Sequence, residues 1–356
     1  MEIEKMHELA LHYISRKIKE LNYPQDHPFL QYPQTPNGMV LEQIIILKIF
    51  LNNDNTVDDL LKKCKSTENG VFSQERFNQN ISEVIVLYYI IIGIVEQDRP
   101  NNFKTVLYEP DNIIENDKKL EYSLLFDNNQ NGDLINFEVK TLTCDPFMKE
   151  ADLRVMDGKQ LVKPFFPDDY IVDKIKKEYP NSVLLENSTY YRQIKKNINK
   201  IIEKYDGNNL TSYQLINIGV IVINLSTSME EFFSCIFHKE KGLIHLINFG
   251  NLDALVFFTL DAKNDMKLEN VYRAGYVQTV LLNDCDYIKN YLEILRLDNY
   301  MSTGNLVYES ILKEAQKEYG IYKLFAKDGF LNIIPWDATD EDINKYLDYL
   351  KGNEVR

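Results

Sequence analysis

The sequence predicts an α/β protein with a central mixed sheet flanked by helices, and three features of the chain indicate this class. Two apolar runs, 120–126 and 134–142, enclose a turn-rich stretch of Asp, Asn, Gln and Gly, as in a β-hairpin with a long loop. A basic amphipathic helix is predicted over 190–205. The β-branched run 218–225 then has the composition of a strand covered on both faces.

The N-terminal region, residues 1–70, is predicted to be helical. An amphipathic first helix ends at the proline-rich stretch 24–36, a second helix covers 41–51, and Thr56 can cap a short third one. Amphipathic helices of this kind usually pack on a core or bind a partner. We expect no chemistry in this region.

The middle region, residues 71–226, is predicted to hold the sheet. The run 77–95 is apolar on nearly every face and is therefore expected to be buried. A first strand follows at 103–108, and the hairpin comes next. The order is thus one buried segment and three strands, followed by the basic helix and the β-branched strand.

The C-terminal region, residues 227–356, is predicted to be mixed α/β and mostly helical after residue 284. Strands are expected at 243–249 and 254–260, and helices at 229–238, 285–297, 306–319 and 340–350.

Composition narrows the possible functions. The chain has 356 residues and a net charge of -14, which argues against a protein that coats DNA without regard to sequence. Its four cysteines include no CxxC pair, so reduced thiols of a cytoplasmic protein are expected and a zinc site is not. The N-terminus is charged throughout, unlike a signal peptide. The most apolar run, 84–95, has 12 residues and is too short to cross a bilayer, so no membrane association is expected.

The second strand of the hairpin carries a polar group inside an apolar run. Alternation along a strand places Asn136, Glu138 and Lys140 on one face, while Ile135 and Phe137 point to the other. A carboxylate and an ammonium group two residues apart also occur on ordinary exposed strands. The partner strand therefore decides whether these residues form a site.

Pairing across the hairpin brings a second carboxylate to the same place. If Phe126 pairs with about Leu134, Glu138 lies opposite Tyr122, and Glu121 lies one step along. Two carboxylates at that distance repel each other unless a cation separates them, and their hard oxygen ligands suit Mg²⁺ or Mn²⁺. The lysine would then orient a water molecule or stabilise charge on a phosphoryl group.

This arrangement resembles the PD-(D/E)xK nuclease superfamily, which has a restriction-endonuclease-like fold. That family places an acid at the start of one strand, then a hairpin, then (D/E)-x-K on the next strand, and Glu138-Val139-Lys140 with its flanks matches the second half. The first half departs from the pattern because the family expects Asp. Glu121 is preferred for this position by spacing, and Asp111, which follows Pro110, is the alternative.

The resemblance implies a set of site residues. Glu121, Glu138 and Lys140 would be catalytic, and Glu121 and Glu138 would bind the metal. Glu83 is the only carboxylate inside the buried run 77–95; it would be a third acid, or else a solvated residue in the first turn of a helix. The family commonly places a Gln or Lys on the helix after the (D/E)-x-K strand, so the expected nucleic-acid contacts are Gln193, Lys196 and Lys200.

The function implied is that of a hydrolase, an Mg²⁺- or Mn²⁺-dependent endonuclease that cuts phosphodiester bonds, with DNA as the expected nucleic-acid partner. By analogy with nuclease domains that carry accessory helices, restriction or antiviral (phage) defence is the expected setting. The expected assembly is a homodimer or a complex with a partner protein of a defence system. The alternative is a catalytically inactive nuclease-fold protein that binds nucleic acid or protein. A third reading makes Glu138 and Lys140 a surface ion pair of a protein-binding module, worth under about 1 kcal/mol.

Overall fold

The fold was analysed in a computed structural model. It describes residues 3–34, 36–51, 53–96, 102–115, 118–128, 132–142, 161–163, 183–184, 188–223, 236, 242–261, 273–301 and 331–332. The chain divides into two compact units, which we call the sheet unit and the second unit. The sheet unit comprises residues 1–143, 197–225 and 248–303, and the second unit comprises 144–196, 226–247 and 304–356. These boundaries do not coincide with the three regions of the sequence, because helices of residues 1–70 share one hydrophobic core with the sheet.

Helices cover the N-terminal third and recur between the strands. They are α1 (Ile3–Leu21), a 3₁₀ turn (Pro28–Gln31), α2 (Pro36–Leu51), α3 (Asp54–Cys64), α4 (Gln74–Glu96), α5 (Ser188–Tyr205), α6 (Leu243–Leu246) and α7 (Asp286–Ile294). Asn53 caps α3 by accepting a hydrogen bond from the Thr56 amide at 3.3 Å. The sequence had suggested Thr56 as the cap of this helix. That prediction was wrong, because the cap is Asn53.

In the part of the chain that the structure describes, the strands form three separate sheets. They are β1 (Thr67–Glu68), β2 (Val71–Phe72), β3 (Phe103–Tyr108), β4 (Tyr122–Phe126), β5 (Asp133–Leu142), β6 (Leu161–Lys163), β7 (Val183–Leu184), β8 (Gln214–Ile223), β9 (Ala254–Asp261), β10 (Arg273–Leu281), β11 (Tyr300–Met301) and β12 (Leu331–Asn332). β1 and β2 form a small hairpin, and β12, β6 and β7 form a parallel sheet within the second unit.

The central sheet has the order β11-β10-β9-β8-β5-β4-β3 and lies within the sheet unit. β3, β4 and β5 form an antiparallel meander, whereas β5, β8 and β9 run parallel to one another. This confirms the expected mixed sheet with flanking helices. The expected order of one helix, three strands, a helix and a further strand is present as α4, β3, β4, β5, α5 and β8, with the short strands β6 and β7 inserted between β5 and α5.

The two faces of the central sheet carry different residues. Ile135, Phe137 and Val139 of β5 belong to one hydrophobic core with residues of α1–α4 and α7. On the opposite face, α5 packs so closely on β8 that a Cβ atom at Gly219 would lie 2.6 Å from Cγ2 of Ile201. The sheet is therefore covered on both sides, which explains why the β8 sequence is a continuous apolar run.

A buried polar ladder crosses the sheet on the α5 face. The Ser123 hydroxyl donates to the Asn136 side-chain oxygen at 2.7 Å, and the Asn136 amide donates to the Asn217 side-chain oxygen at 2.9 Å. Asn217 in turn donates to the Asn251 carbonyl at 2.9 Å. A one-residue slip of any strand would leave these buried groups without partners, so the ladder specifies the register of β4, β5 and β8.

Helix α4 contains the apolar run 84–95 and extends well beyond it. Its 23 residues are long and apolar enough to cross a bilayer by length and composition alone. However, 61% of its most apolar window is buried against the rest of the protein, as in the core helix of a globular unit. Its position in the core accounts for its hydrophobicity.

Some sequence predictions of secondary structure were wrong or incomplete. The strand predicted at 243–249 is wrong, because residues 243–246 form α6 and the chain that follows is irregular. A short apolar run fits either state, and only Leu243 of α6 is buried. Strand β10 was not anticipated. The helices predicted at 306–319 and 340–350, and nearly all of 229–238, lie outside the described residues.

We expect Gly219→Ala to destabilise the protein, because the added methyl group overlaps the Ile201 side chain where α5 meets the sheet. The free energy of unfolding should fall by about 1–3 kcal/mol, as measured by urea denaturation. Lys200→Ala, an exposed change on the same helix, is the control and should stay within about 0.5 kcal/mol of the parent. An unchanged stability for Gly219→Ala would mean that α5 does not approach the sheet as described.

Candidate functional site

The β4–β5 hairpin places Glu121 directly beside Glu138. Tyr122 pairs with Phe137 and Phe126 with Asp133, and the Glu121 amide donates to the Phe137 carbonyl at 3.2 Å, so the ladder continues one residue beyond β4. The pairing expected from the sequence was wrong by one residue. The observed register stacks the Tyr122 and Phe137 rings at 5.2 Å in the core, whereas the expected one would have paired Tyr122 with a carboxylate.

Lys140 joins the two carboxylates. Its ammonium group forms an ion pair with Oε1 of Glu138 and lies 3.5 Å from Oε1 of Glu121. The Glu138 side chain is fully buried, at 0% exposure, while that of Lys140 is 23% exposed. Glu138 and Lys140 therefore share one strand face, as alternation predicted, with the carboxylate inside and the amine nearer to solvent.

A lysine of α5 approaches Glu138 from the other side. The Nζ atom of Lys204 lies 3.6 Å from Oε2 of Glu138, and it also donates to the Lys119 carbonyl. Sequence analysis placed Lys204 on the basic helix but did not assign it to the site. Its position one helical turn after Lys200 was the available signal, because residues four apart lie on the same helix face.

Glu83 reaches the same end of the sheet from the interior of α4. Its side chain is 8% exposed and lies in the third turn of the helix, so the solvated first-turn interpretation was wrong. The Lys63 ammonium lies 2.7 Å from Oε2 of Glu83 and 2.6 Å from Oε2 of Glu121. It also lies 3.6 Å from Oε1 of Glu109.

Lys63 belongs to α3, in the region where no chemistry was expected. It is 58 residues from Glu121 in sequence, so no local pattern linked the two. We use the name glutamate–lysine cluster for the group formed by Glu83, Glu121, Glu138, Lys63, Lys140 and Lys204. All six residues lie in the sheet unit.

Burial and mutual charge set the protonation of the cluster. The pKa of Glu83 is raised to about 8, first by burial and second by the Glu121 carboxylate, against the opposing effect of Lys63. Burial would also raise the pKa of Glu121, but Lys63 and Lys140 outweigh it and hold that pKa below its usual value. Near neutral pH, Glu83 therefore retains its proton while Glu121 is ionised.

The pKa values of Glu138 and of the lysines are likewise set by burial and by the neighbouring charges. Burial raises the pKa of Glu138, although Lys140 opposes this effect. Burial would lower the pKa of Lys63 and of Lys140, but the adjacent carboxylates outweigh it and raise both values. Both lysines therefore remain ammonium groups, and the cluster consists of buried acids held by charged amines.

Three polar atoms at the cluster lack hydrogen bonds. Both carboxylate oxygens of Glu138 are buried and accept no hydrogen bond of good geometry, although Lys140 and Lys204 lie within ion-pair distance. The buried Tyr122 hydroxyl also has no hydrogen-bond partner. Its pKa is raised by burial and then by the Glu83 and Glu121 carboxylates, which shows that it lies within their field. Buried polar atoms usually find partners, so these atoms indicate room for a bound ligand or water.

The remaining predicted site residues lie elsewhere. Asp111 is exposed and pairs with Lys119 at 3.1 Å, so it has no described contact with the cluster. Lys200 is exposed on the part of α5 that belongs to the sheet unit. Gln193 is partly buried and Lys196 is exposed, and both lie on the part of α5 that belongs to the second unit.

Among the described residues, no group of three or more His, Cys, Asp or Glu side chains is arranged as a preformed metal site. The carboxylates of Glu83 and Glu121 converge, but the Lys63 ammonium lies between them. Sequence analysis had invoked a dication for the repulsion between Glu121 and Glu138, and in the structure the Lys140 ammonium contacts both of these carboxylates.

We expect the pH dependence of stability to report on Glu83. The unfolded chain ionises this group near its ordinary pKa of 4.5, whereas the folded chain keeps the proton up to about 8. A group with a raised folded-state pKa loses stability as the pH rises between these two values, so Glu83 should destabilise the native state progressively from pH 5 to pH 8.

Glu83→Gln should remove this loss and become steadily more stable relative to the parent as the pH rises. Urea unfolding in EDTA at several pH values measures the difference. Glu75→Gln, an exposed change in the first turn of α4, is the control and should follow the parent. Parallel curves for Glu83→Gln and the parent would contradict the raised pKa.

Comparison with known proteins does not assign the chain to a family. No protein-family model matches the chain, and no curated protein or solved structure shows a significant match to it. The case for a function therefore depends on the glutamate–lysine cluster itself.

Proposed function

We propose that the chain is a divalent-metal-dependent nuclease that hydrolyses phosphodiester bonds, with DNA as its substrate. The observation that carries the proposal is the convergence of Glu121 and Glu138, from neighbouring strands, on the Lys140 ammonium. Carboxylates able to hold a hard cation, beside an amine able to stabilise phosphoryl charge, are the groups that metal-assisted phosphodiester hydrolysis requires.

The order of elements supports a restriction-endonuclease-like core as part of this proposal. An acid begins one hairpin strand, Glu-x-Lys lies on the next, and the preceding helix α4 supplies a further acid, Glu83. The PD-(D/E)xK resemblance expects each of these features. Glu121 replaces the Asp of that pattern, and its longer side chain still reaches Lys140.

The donor set suits Mg²⁺ or Mn²⁺. Glu121 is ionised at neutral pH, and both Glu138 oxygens are buried with unused hydrogen-bonding capacity, so these two residues would hold the metal, with Glu83 as a third ligand. When bound, the metal would activate a water molecule and neutralise charge on the phosphoryl group.

Side chains of the cluster would bind the phosphate and position the metal-binding carboxylates. Lys140 lies between Glu121 and Glu138 and is partly exposed, so it can meet a phosphate that arrives from solvent. Lys204 holds the other oxygen of Glu138 and fixes the direction of that carboxylate. The buried ladder beneath fixes the strand register and therefore the spacing of the two acids.

Exposed lysines on α5 support a nucleic-acid substrate. Lys195, Lys196 and Lys200 are all exposed on this helix, in a chain whose net charge is -14. Of these, Lys200 lies in the sheet unit and Lys195 and Lys196 in the second unit, and an exposed lysine can contact a phosphate even when the rest of the surface is acidic. A cytoplasmic role in restriction or antiviral defence, as a homodimer or with a partner protein, is part of this proposal.

The nuclease proposal is tested by incubating plasmid DNA, single-stranded DNA and RNA with the purified protein and Mg²⁺ or Mn²⁺. We expect metal-dependent cleavage that falls by at least about a hundredfold in Glu138→Gln and Lys140→Met, because the first change weakens metal binding and the second removes the ammonium that stabilises phosphoryl charge. Glu203→Gln and Lys62→Met, which alter exposed ion pairs that include no cluster residue, are matched controls. Equal cleavage by all five proteins, or none by the parent, would reject the proposal.

A second candidate function is a catalytically inactive nuclease-fold protein that binds nucleic acid or a protein partner. The observation that favours it is Lys63, whose ammonium already lies between Glu83 and Glu121 without a metal. This candidate requires that the parent bind no Mn²⁺ and that nucleic-acid binding be the same in Glu138→Gln. The third reading, a surface ion pair, is not supported, because the Glu138 side chain is fully buried.

A further inference from the structure

We propose that Lys63 is a displaceable internal cation, which holds the space between Glu83 and Glu121 in the metal-free protein and leaves it when a dication binds. This inference rests on the metal site of the proposed function and assigns a role to a residue on the helix outside the predicted nuclease region. Lys63 would thereby set the metal affinity of the cluster without being a metal ligand.

The contacts of Lys63 resemble those of a bound cation. Its ammonium lies 2.7 and 2.6 Å from oxygens of Glu83 and Glu121, and it lies 5.8 Å from the centre of the Tyr108 ring. The Tyr108 hydroxyl lies 3.5 Å from the same Glu83 oxygen. A dication that uses these two carboxylates would need oxygen distances near 2.1 Å, so it and the ammonium cannot occupy the space together.

An alternative carboxylate lies within reach of the Lys63 ammonium on the solvent side. It is the penultimate residue of α3, its side chain is 26% exposed, and its four-carbon stem is flexible. Glu109, whose side chain is 42% exposed, lies 3.6 Å from the ammonium on the solvent side. A short rotation of the stem would move the Lys63 ammonium from the buried carboxylates of Glu83 and Glu121 to the exposed carboxylate of Glu109.

The charges of the site favour this exchange. Around the site, four carboxylates (Glu83, Glu109, Glu121 and Glu138) face three ammonium groups (Lys63, Lys140 and Lys204). When a metal binds and all four carboxyl groups are ionised, including Glu83, which keeps its proton near neutral pH in the metal-free protein, removing the Lys63 charge leaves an excess of two negative charges. This excess equals the charge of one dication. The Tyr122 hydroxyl and the Glu138 oxygens, which have no hydrogen-bond partner, independently indicate that the site has unused capacity for a ligand.

The test measures Mn²⁺ affinity by electron paramagnetic resonance or calorimetry on the full chain. Lys63→Met keeps the length and apolar stem of the side chain but removes its competing charge, so we expect it to bind Mn²⁺ about tenfold more tightly or better, a gain of about 1.4 kcal/mol. Lys62→Met, the adjacent exposed lysine of α3, is the matched control and should bind like the parent. Lys63→Arg retains the charge and should not gain affinity.

A second measurement uses the parent protein and so does not depend on a variant folding. Lysines are acetylated with and without Mn²⁺, and modification of Lys63 is followed by mass spectrometry. We expect Mn²⁺ to increase the rate at Lys63 severalfold, because its ammonium leaves the buried carboxylates for solvent, while the rate at Lys62 stays the same.

The outcomes separate this inference from the nuclease proposal. Tighter Mn²⁺ binding by Lys63→Met without DNA cleavage would support displacement and reject the nuclease. Cleavage by a parent that binds Mn²⁺ through Glu138, with no gain in Lys63→Met and no change in Lys63 labelling, would overturn displacement and leave the nuclease standing. Absence of Mn²⁺ binding in the parent and in every variant would overturn both.

Discussion

A fully buried carboxylate, Glu138, is the constraint on which the site depends. An ionised carboxylate in an apolar interior is costly unless it is paired, and here Lys140 from the same strand and Lys204 from α5 provide the charge. These two partners come from different elements, so the carboxylate ties strand β5 to helix α5. Removing either lysine alone would leave this buried carboxylate less well compensated, so the three residues depend on one another.

The surrounding fold is arranged to let these charges meet. Gly219 lies beside Glu138 in the parallel β5–β8 pair, and its missing side chain lets α5 come close to the sheet. On the other side, α4 lies against the same strand and carries Glu83 toward Glu121, while α3 adds Lys63. The N-terminal helices are thus part of the site's construction, although their sequence contains no recognisable motif.

The sequence predicts the parts of this site that depend on local patterns. Alternation along the hairpin placed Glu138 and Lys140 on one face, and the apolar run 218–225 indicated a strand buried on both sides. The sequence alone does not predict which residues pair across the hairpin or between distant elements. The hairpin register was wrong by one residue because loop length does not fix pairing, and the stacked rings of Tyr122 and Phe137 decided it. Lys63 was missed because only the folded chain brings α3 to the end of the sheet.

The central claim is that Glu121 and Glu138 form a site for a divalent cation. A crystal structure of the protein soaked in Mn²⁺, with anomalous diffraction measured at the manganese edge, tests it most directly. The account predicts a manganese peak bonded to oxygens of both glutamates, with the Lys63 ammonium turned away toward Glu109. A map with no such peak, in which Lys63 still bridges Glu83 and Glu121 at saturating Mn²⁺, would contradict it.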